Sequence, residues 1–277
     1  MDSEPRPPQV LSPQNLVTLG NLACGVVAML LCVTAVLEND PHRLYEGGLY
    51  LVLANLLDAV DGKLARITGS ASPLGAQLDS LADAVTFGVA PGILSISLLR
   101  IMGPGLDINM HPRLMIIAPV IFSCCAVLRL ARFNVDHESE DLTTDHAHFI
   151  GLPSPGAAAL PIALVLFFFG VEDIELFTID ADVIFALQYW SLVVIPFLLM
   201  GLGLLMVSRV PYPHFFAWMT RSRRPVKTLA KFIVLFGLLF LEPELAMVFM
   251  AGLFVFVPLV RDLPSMFRKS QVPPNSH

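Results

Sequence analysis

Charge is scarce in this sequence. Asp, Glu, Lys and Arg make up 14% of its 277 residues, against about 25% in soluble domains. That shortage excludes a large solvated surface. Non-spanning stretches reach only about twenty residues, too short to bury a core of their own, so no soluble domain is expected. The alternation of apolar and polar residues over ~10 positions that marks membrane β-strands is missing, which excludes a β-barrel. Cysteine is sparse too. Cys24, Cys32, Cys124 and Cys125 fall inside apolar runs, without zinc-ligand spacing and without a disulfide framework. No internal repeat emerges, which argues against an inverted-repeat transporter. The first apolar run, near Val17, lacks the short core and small-residue cleavage site of a signal peptide and reads as a retained span. Net charge is -6, and no nucleic-acid partner is expected.

What is abundant is apolar sequence. Hydrophobic residues make up 55% of the chain, and mean hydropathy is +0.71. Runs of ~20 apolar residues recur, each long enough to span a bilayer. The expected fold is an all-α polytopic membrane bundle. Eight spans are expected, over 16–37, 46–66, 74–100, 114–134, 154–170, 187–207, 228–241 and 244–260. With the N-terminus inside, only Arg43, Arg100 and Arg113 of the 17 Lys and Arg residues fall outside. That bias fixes the orientation, with both termini in the cytoplasm. Residues 1–13 read as a disordered tail and 261–277 as a cytoplasmic tail, disordered over 270–277. Arg221, Arg223 and Arg224 form a basic patch suited to the anionic inner leaflet. The loop 136–148, with three His and several acids, reads as a solvated charged loop.

Against this background, four acids stand out. Asp58, Asp61, Asp79 and Asp83 lie within otherwise apolar spans, where each carboxylate costs at least ~2.5 kcal/mol on insertion scales. Asp58 and Asp61 are spaced i,i+3, and Asp79 and Asp83 i,i+4, so each pair shares a helix face. The short ITGSASP link makes the two helices antiparallel neighbours. All four acids then lie at similar depth near the cytoplasmic interface, where a cluster of carboxylate oxygens suits a hard divalent cation, Mg²⁺ or Mn²⁺. The small residues Gly62, Ala65 and Gly75 permit close approach by a ligand or by a neighbouring helix.

Written out, the stretch is D-x-x-D-G-x-x-A-R, eight residues, then G-x-x-x-D-x-x-x-D, ending at Asp83. It resembles the signature of the CDP-alcohol phosphatidyltransferases, membrane enzymes that transfer a phosphatidyl group from a CDP-linked lipid to an alcohol and release CMP. The resemblance implies six core helical spans in a homodimer, leaving two additional C-terminal spans. It makes Asp58, Asp61, Asp79 and Asp83 metal ligands and Asp83 also the general base. It places Gly62, Ala65, Arg66 and Gly75 at the nucleotide and phosphates. The domain boundaries that follow are 14–213 for the transferase membrane domain and 214–260 for a basic loop and two further spans.

Four more segments bear on the acceptor: NLVTLGNLACG (15–25), VLRLARFNVD (127–136), FIGLPSPGAAALP (149–161) and LLMVSRVPYP (204–213). Together they resemble the integral-membrane CDP-diacylglycerol–serine phosphatidyltransferases. The resemblance implies CDP-diacylglycerol and L-serine as substrates, membrane lipids as surroundings and a bacterial inner membrane as location. Arg129 and Arg132 share a face at i,i+3 and offer cations for the serine carboxylate or the lipid phosphate, with Asn134 as a polar contact. Snorkelling at the interface explains both arginines as well. Thr18 and Asn21 on the first span stand near the diphosphate or headgroup, or else only solvate the interface. The GLPSP run reads as a rigid entry to the fifth span, or as a simple helix start. Two alternatives stand beside serine: another acceptor (glycerol phosphate, inositol phosphate or choline), and an ion-coupled transporter using the acids as a relay.

Overall fold

The computed structural model of the protein describes residues 12–68, 73–139, 148–174, 180–213, 237 and 239–269. Seven long helices run through them: α1 (Pro13–Glu38), α2 (His42–Thr68), α3 (Pro73–Met102), α4 (Pro112–Ser139), α5 (Ser154–Gly170), α6 (Ala181–Val207) and α7 (Pro243–Lys269). Five of these, α1, α3, α4, α6 and α7, are long and apolar enough to cross a membrane. Each of the seven coincides with an expected span to within a few residues, except that α7 runs on to Lys269. The expected span 228–241 and the basic patch lie almost wholly outside the described residues.

Local chemistry sets the ends. Ser12 caps α1 by accepting from the Asn15 amide at 3.2 Å, and Pro13 opens the helix at the position that needs no N–H. Asn39 closes it in the left-handed conformation (φ 53°). Arg43 then pairs with Glu38 at 2.6 Å and with Asp40 at 3.3 Å, at the end of the bundle remote from the aspartates. A π-helical segment, Ala84–Val89, interrupts α3 directly after Asp83. Pro91 follows two residues later; it offers no N–H and its ring crowds the preceding turn, which gives the wider winding a cause.

α1 packs along α2 and α3, α4 along α6, and α5 along α7. α5 touches α2, α3 and α6 as well, and buries residues on all sides, including Leu160, Ile162, Val165 and Phe168. A helix apolar all round belongs at the centre of a bundle. By contrast, α1, α4 and α6 turn Leu30, Ile116, Val120, Trp190, Phe197 and Leu204 outward, a surface suited to lipid. Among the described residues the only sheet is a short antiparallel ribbon, His148–Ile150 with Pro211–Pro213, in which Phe149 faces Tyr212. It joins two of the segments that carry the serine-type resemblance, just before α5 and just after α6.

Candidate active site

α2 and α3 bring their acids to one level because they are antiparallel and share a short link. Asp58, Asp79 and Asp83 each present a carboxylate oxygen within 4.8 Å of the others. Asp58 and Asp79 are half-buried and Asp83 is 8% exposed. A donor set made only of carboxylate oxygens fits a hard divalent cation such as Mg²⁺ or Mn²⁺. Asp61 belongs to the same hairpin but is not one of this trio. Only 3% exposed, it accepts a hydrogen bond from the Thr18 hydroxyl of α1. The structure thus brings three of the four acids together and ties the fourth to a neighbouring helix.

α1 is the back wall of this cluster. Thr18 Oγ1 also lies 3.2 Å from the Gln14 carbonyl, and Asn21 Nδ2 donates to Asp83 Oδ1 at 3.5 Å. Thr86, in the π-helical segment, donates to the Asn21 carbonyl at 3.3 Å. Gly25 makes the approach possible, since a Cβ there would stand 2.6 Å from Thr86 Oγ1. Thr18 and Asn21 are therefore buried against carboxylates. They are not interfacial groups facing solvent, and they do not line the neighbouring cavity. Hydrogen bonds to the buried carboxyl groups offset their burial, which explains the i,i+3 polar pair Thr18 and Asn21 in an apolar helix.

In front of the carboxylates opens a cavity of about 520 Å³ between α2, α3, α4, α5 and α7. Its polar end carries Asn55, Asp58, Asp79, Ser80, Asp83 and Arg129. Arg129 Nη1 donates to Ser154 Oγ at 3.0 Å. Its Nε is buried with no hydrogen-bond partner among the described residues. The guanidinium is thus held at one corner of the cavity's polar end. Of the two arginines singled out, Arg129 faces the cavity; Arg132, one turn on, is exposed and does not line it. Asn134 is also outside the lining, and its Oδ1 accepts from Ser80 Oγ at 3.0 Å. Gly62 is exposed, with nothing among the described residues within 4 Å of where its Cβ would be, while Gly75 is buried. The side chains of Ala65 and Arg66, and most of the histidine loop, lie outside the described residues.

Three polar contributors escape a reading built on the acidic motif. Asn55 had a signal, for it lies three residues before Asp58 on the same face. Ser154, the partner of Arg129, sits in the GLPSP run, where its hydroxyl was hidden between two prolines. Ser80 had none. The apolar wall from α7 had no signal either, because only long-range packing brings residues 247–254 to the acids.

Similarity to known proteins agrees with this geometry. Residues 12–195 match the family model described as CDP-alcohol phosphatidyltransferase. The chain is 32% identical over 200 residues to the CDP-diacylglycerol–serine O-phosphatidyltransferase of Bacillus subtilis, covering 72% of this chain and 89% of that one. The protein of the same name from Helicobacter pylori strain 26695 is 31% identical over 215 residues, 77% of this chain and 78% of the other. That from Methanocaldococcus jannaschii is 30% identical over 207 residues, 75% and 76%. With a matching family model across most of its length, relatives of this kind, and the acids of the signature gathered in a helical membrane bundle, the chain belongs to the CDP-alcohol phosphatidyltransferase family of membrane enzymes.

Proposed function

We propose that this enzyme transfers the phosphatidyl group of CDP-diacylglycerol to L-serine, giving phosphatidylserine and CMP. The observation that carries this reading is one cavity with two characters. Three converging carboxylates and a guanidinium line one end, and apolar side chains line the other. A CDP-lipid has the same division, with a charged diphosphate joined to acyl chains. The names of the relatives supply the acceptor.

In the proposed reaction the serine hydroxyl oxygen forms a bond to the phosphatidyl phosphorus. The bond from that phosphorus to the CMP oxygen breaks, and CMP departs with the bonding pair. The hydroxyl proton passes to Asp83, the most enclosed of the three converging acids, acting as general base. Asp58, Asp79 and Asp83, with Asp61 completing the set that the resemblance implies, would hold a divalent metal, which would supply charge neutralisation at the diphosphate and the leaving phosphate. Arg129 orients the serine carboxylate or the lipid phosphate through the donors that Ser154 leaves free. Asn134 acts indirectly, by fixing Ser80 at the cavity wall. Gly62, Ala65, Arg66 and Gly75 form the nucleotide side that the resemblance implies.

An acceptor bearing its own phosphate would call for more than one cation near the acids. Among the described residues, Arg129 is the only Lys or Arg lining the cavity. The positive-inside bias puts the acid-bearing end toward the cytoplasm of a bacterial inner membrane, where soluble serine and CDP-lipid headgroups both have access. The homodimer of the family is carried over as part of the same reading.

The test is CMP release by purified protein given labelled CDP-diacylglycerol, Mg²⁺ or Mn²⁺, and a panel of alcohols. The expected result is rapid release with serine and only slow release with glycerol phosphate, inositol phosphate or choline. Release with glycerol phosphate and none with serine overturns the acceptor assignment. No release with any alcohol overturns the proposed transfer.

A further inference from the structure

The cavity does not end at the carboxylates. It continues as an apolar slot, and one side of that slot is α7, which lies beyond the residues 12–195 that match the family model. Met247, Met250, Ala251 and Phe254 line it at i, i+3, i+4 and i+7, one face of the helix. Gly156, Ala159 and Ala163 of α5 stand opposite, and Val52 of α2 borders it. The small side chains of Ala159 and Ala163 on α5 and of Ala251 on α7 leave the space open.

α7 is fixed at both ends of this slot. At the end remote from the acids, Tyr45 Oη donates to Glu244 Oε1 at 2.9 Å. Gly170 admits the same side chain, since a Cβ there would be 2.8 Å from Glu244 Cγ. Nearer the acids, Tyr212 Oη, from the β-ribbon, donates to the Val255 carbonyl at 3.3 Å. The Phe254 ring packs against Tyr212 at 6.2 Å between centroids. The same ring occupies the space over Gly156, where a Cβ would be 2.5 Å from Phe254 Cε1. The wall is thus held in place from α2, α5 and the ribbon together.

From Gly156 to Ala163, and from Phe254 to Met247, the slot runs seven residues along each helix, roughly 10 Å at ~1.5 Å per residue. An extended chain advances ~3.6 Å per three bonds, so that depth takes about eight or nine methylenes. The slot leads away from the carboxylates toward the middle of the bundle, the direction an acyl chain takes from its headgroup. Surrounding lipid tails are as apolar as the slot, so selection there works by shape, not by transfer out of water.

We infer that α7 closes an acyl-chain slot for the CDP-lipid, with Met250, Ala251 and Phe254 setting the length and bulk of the chain it accepts. This rests on the phosphatidyl-transfer reading above. It commits to the substrate's own acyl chain and not to bulk phospholipid.

Two measurements test it. First, CDP-diacylglycerol carrying a diazirine in mid-chain is photolysed with the full-length protein, and labelled peptides are sequenced. Label is expected in 247–254 and 156–163, is displaced by excess unlabelled CDP-diacylglycerol, and is several-fold weaker when the diazirine is on phosphatidylcholine. Label confined to the outward faces of α1 or α4, or equal label from phosphatidylcholine, overturns the inference. Second, Ala251→Phe fills the slot. It is expected to lower kcat/KM for dipalmitoyl substrate at least tenfold relative to dihexanoyl substrate. A parallel loss with both, or none with either, overturns the inference. Labelling requires only that the CDP-lipid bind, so a protein that labels in the slot yet releases no CMP would sink the transfer reading and leave the slot standing.

Discussion

Gly25→Ala probes how finely the α1–α3 contact sets the carboxylate geometry. The added Cβ would lie 2.6 Å from Thr86 Oγ1 and 3.0 Å from Thr86 Cα and Cβ. Rotating Thr86 gives little relief. Its hydroxyl would lose the 3.3 Å bond to the Asn21 carbonyl, and the backbone Cα would still be in the way. Ordinary contact begins at 3.4 Å, so α1 and α3 must part by roughly 0.4–0.8 Å. Asn21 sits one turn before Gly25, and its bond to Asp83 is already 3.5 Å long. A separation of that size breaks it. Overpacking of this kind costs about 1–3 kcal/mol in stability. Misplacement approaching 1 Å costs on the order of 10²-fold in rate. G25A is therefore expected to melt at a lower temperature in detergent and to release CMP about ten- to a hundredfold more slowly. Adding Thr86→Ala removes the hydroxyl contact but leaves the backbone one, so it should recover part of the stability and less of the rate. A G25A protein with unchanged Tm and unchanged CMP release would refute the reasoning. A lowered Tm with unchanged kcat would show that the contact supports the fold without tuning the site.

Other predictions follow from the same geometry. Asp83→Asn keeps the side-chain shape but cannot accept the serine proton; turnover should fall by at least about 10²–10⁴-fold, while CDP binding measured by calorimetry persists. Chelation with EDTA should abolish CMP release, and either Mg²⁺ or Mn²⁺ should restore it, whereas Ca²⁺ serves as the contrast because it prefers longer bonds and more ligands. Arg129→Ala removes a charge-assisted contact worth about 1.5–3 kcal/mol, so KM for serine should rise about 10- to 150-fold, in contrast to Arg132→Ala, which should change it less than threefold. Thr18→Val deletes the donor to Asp61 without changing shape; it should lower Tm, and Thr18→Ser should restore it.

Much of this protein was legible before its helices were placed. Repeated apolar runs compel membrane helices, because a backbone in lipid must satisfy its own hydrogen bonds. The spacing of Asp58, Asp61, Asp79 and Asp83 across one short link compels a shared depth and two shared faces. Those are local regularities, and helical periodicity transmits them without help from the rest of the chain. The orientation of each acid was not of this kind. Asp61 and Asp58 are one turn apart on α2, yet only Asp58 joins the cluster, because Thr18 of α1 stands within reach of Asp61. Arg129 and Arg132 are equivalent in sequence spacing. The position of α5 and its Ser154 turns one of them to the cavity and leaves the other exposed.

The sequence by itself determined the fold class, the approximate positions of the seven described helices, and the acids that mark the family. The tertiary structure decided which three carboxylates converge, that Thr18 and Asn21 hold Asp61 and Asp83 from behind, and that α7 walls the cavity. The physical reason is the range of the interactions. Residues one helical turn apart are placed by the rise and rotation of one helix. Residues 247–254 reach the acids of α2 and α3 only through packing against α5 and α2, through contacts such as Phe254 on Gly156 and Tyr45 on Glu244, whose partners are about a hundred residues or more apart in the chain.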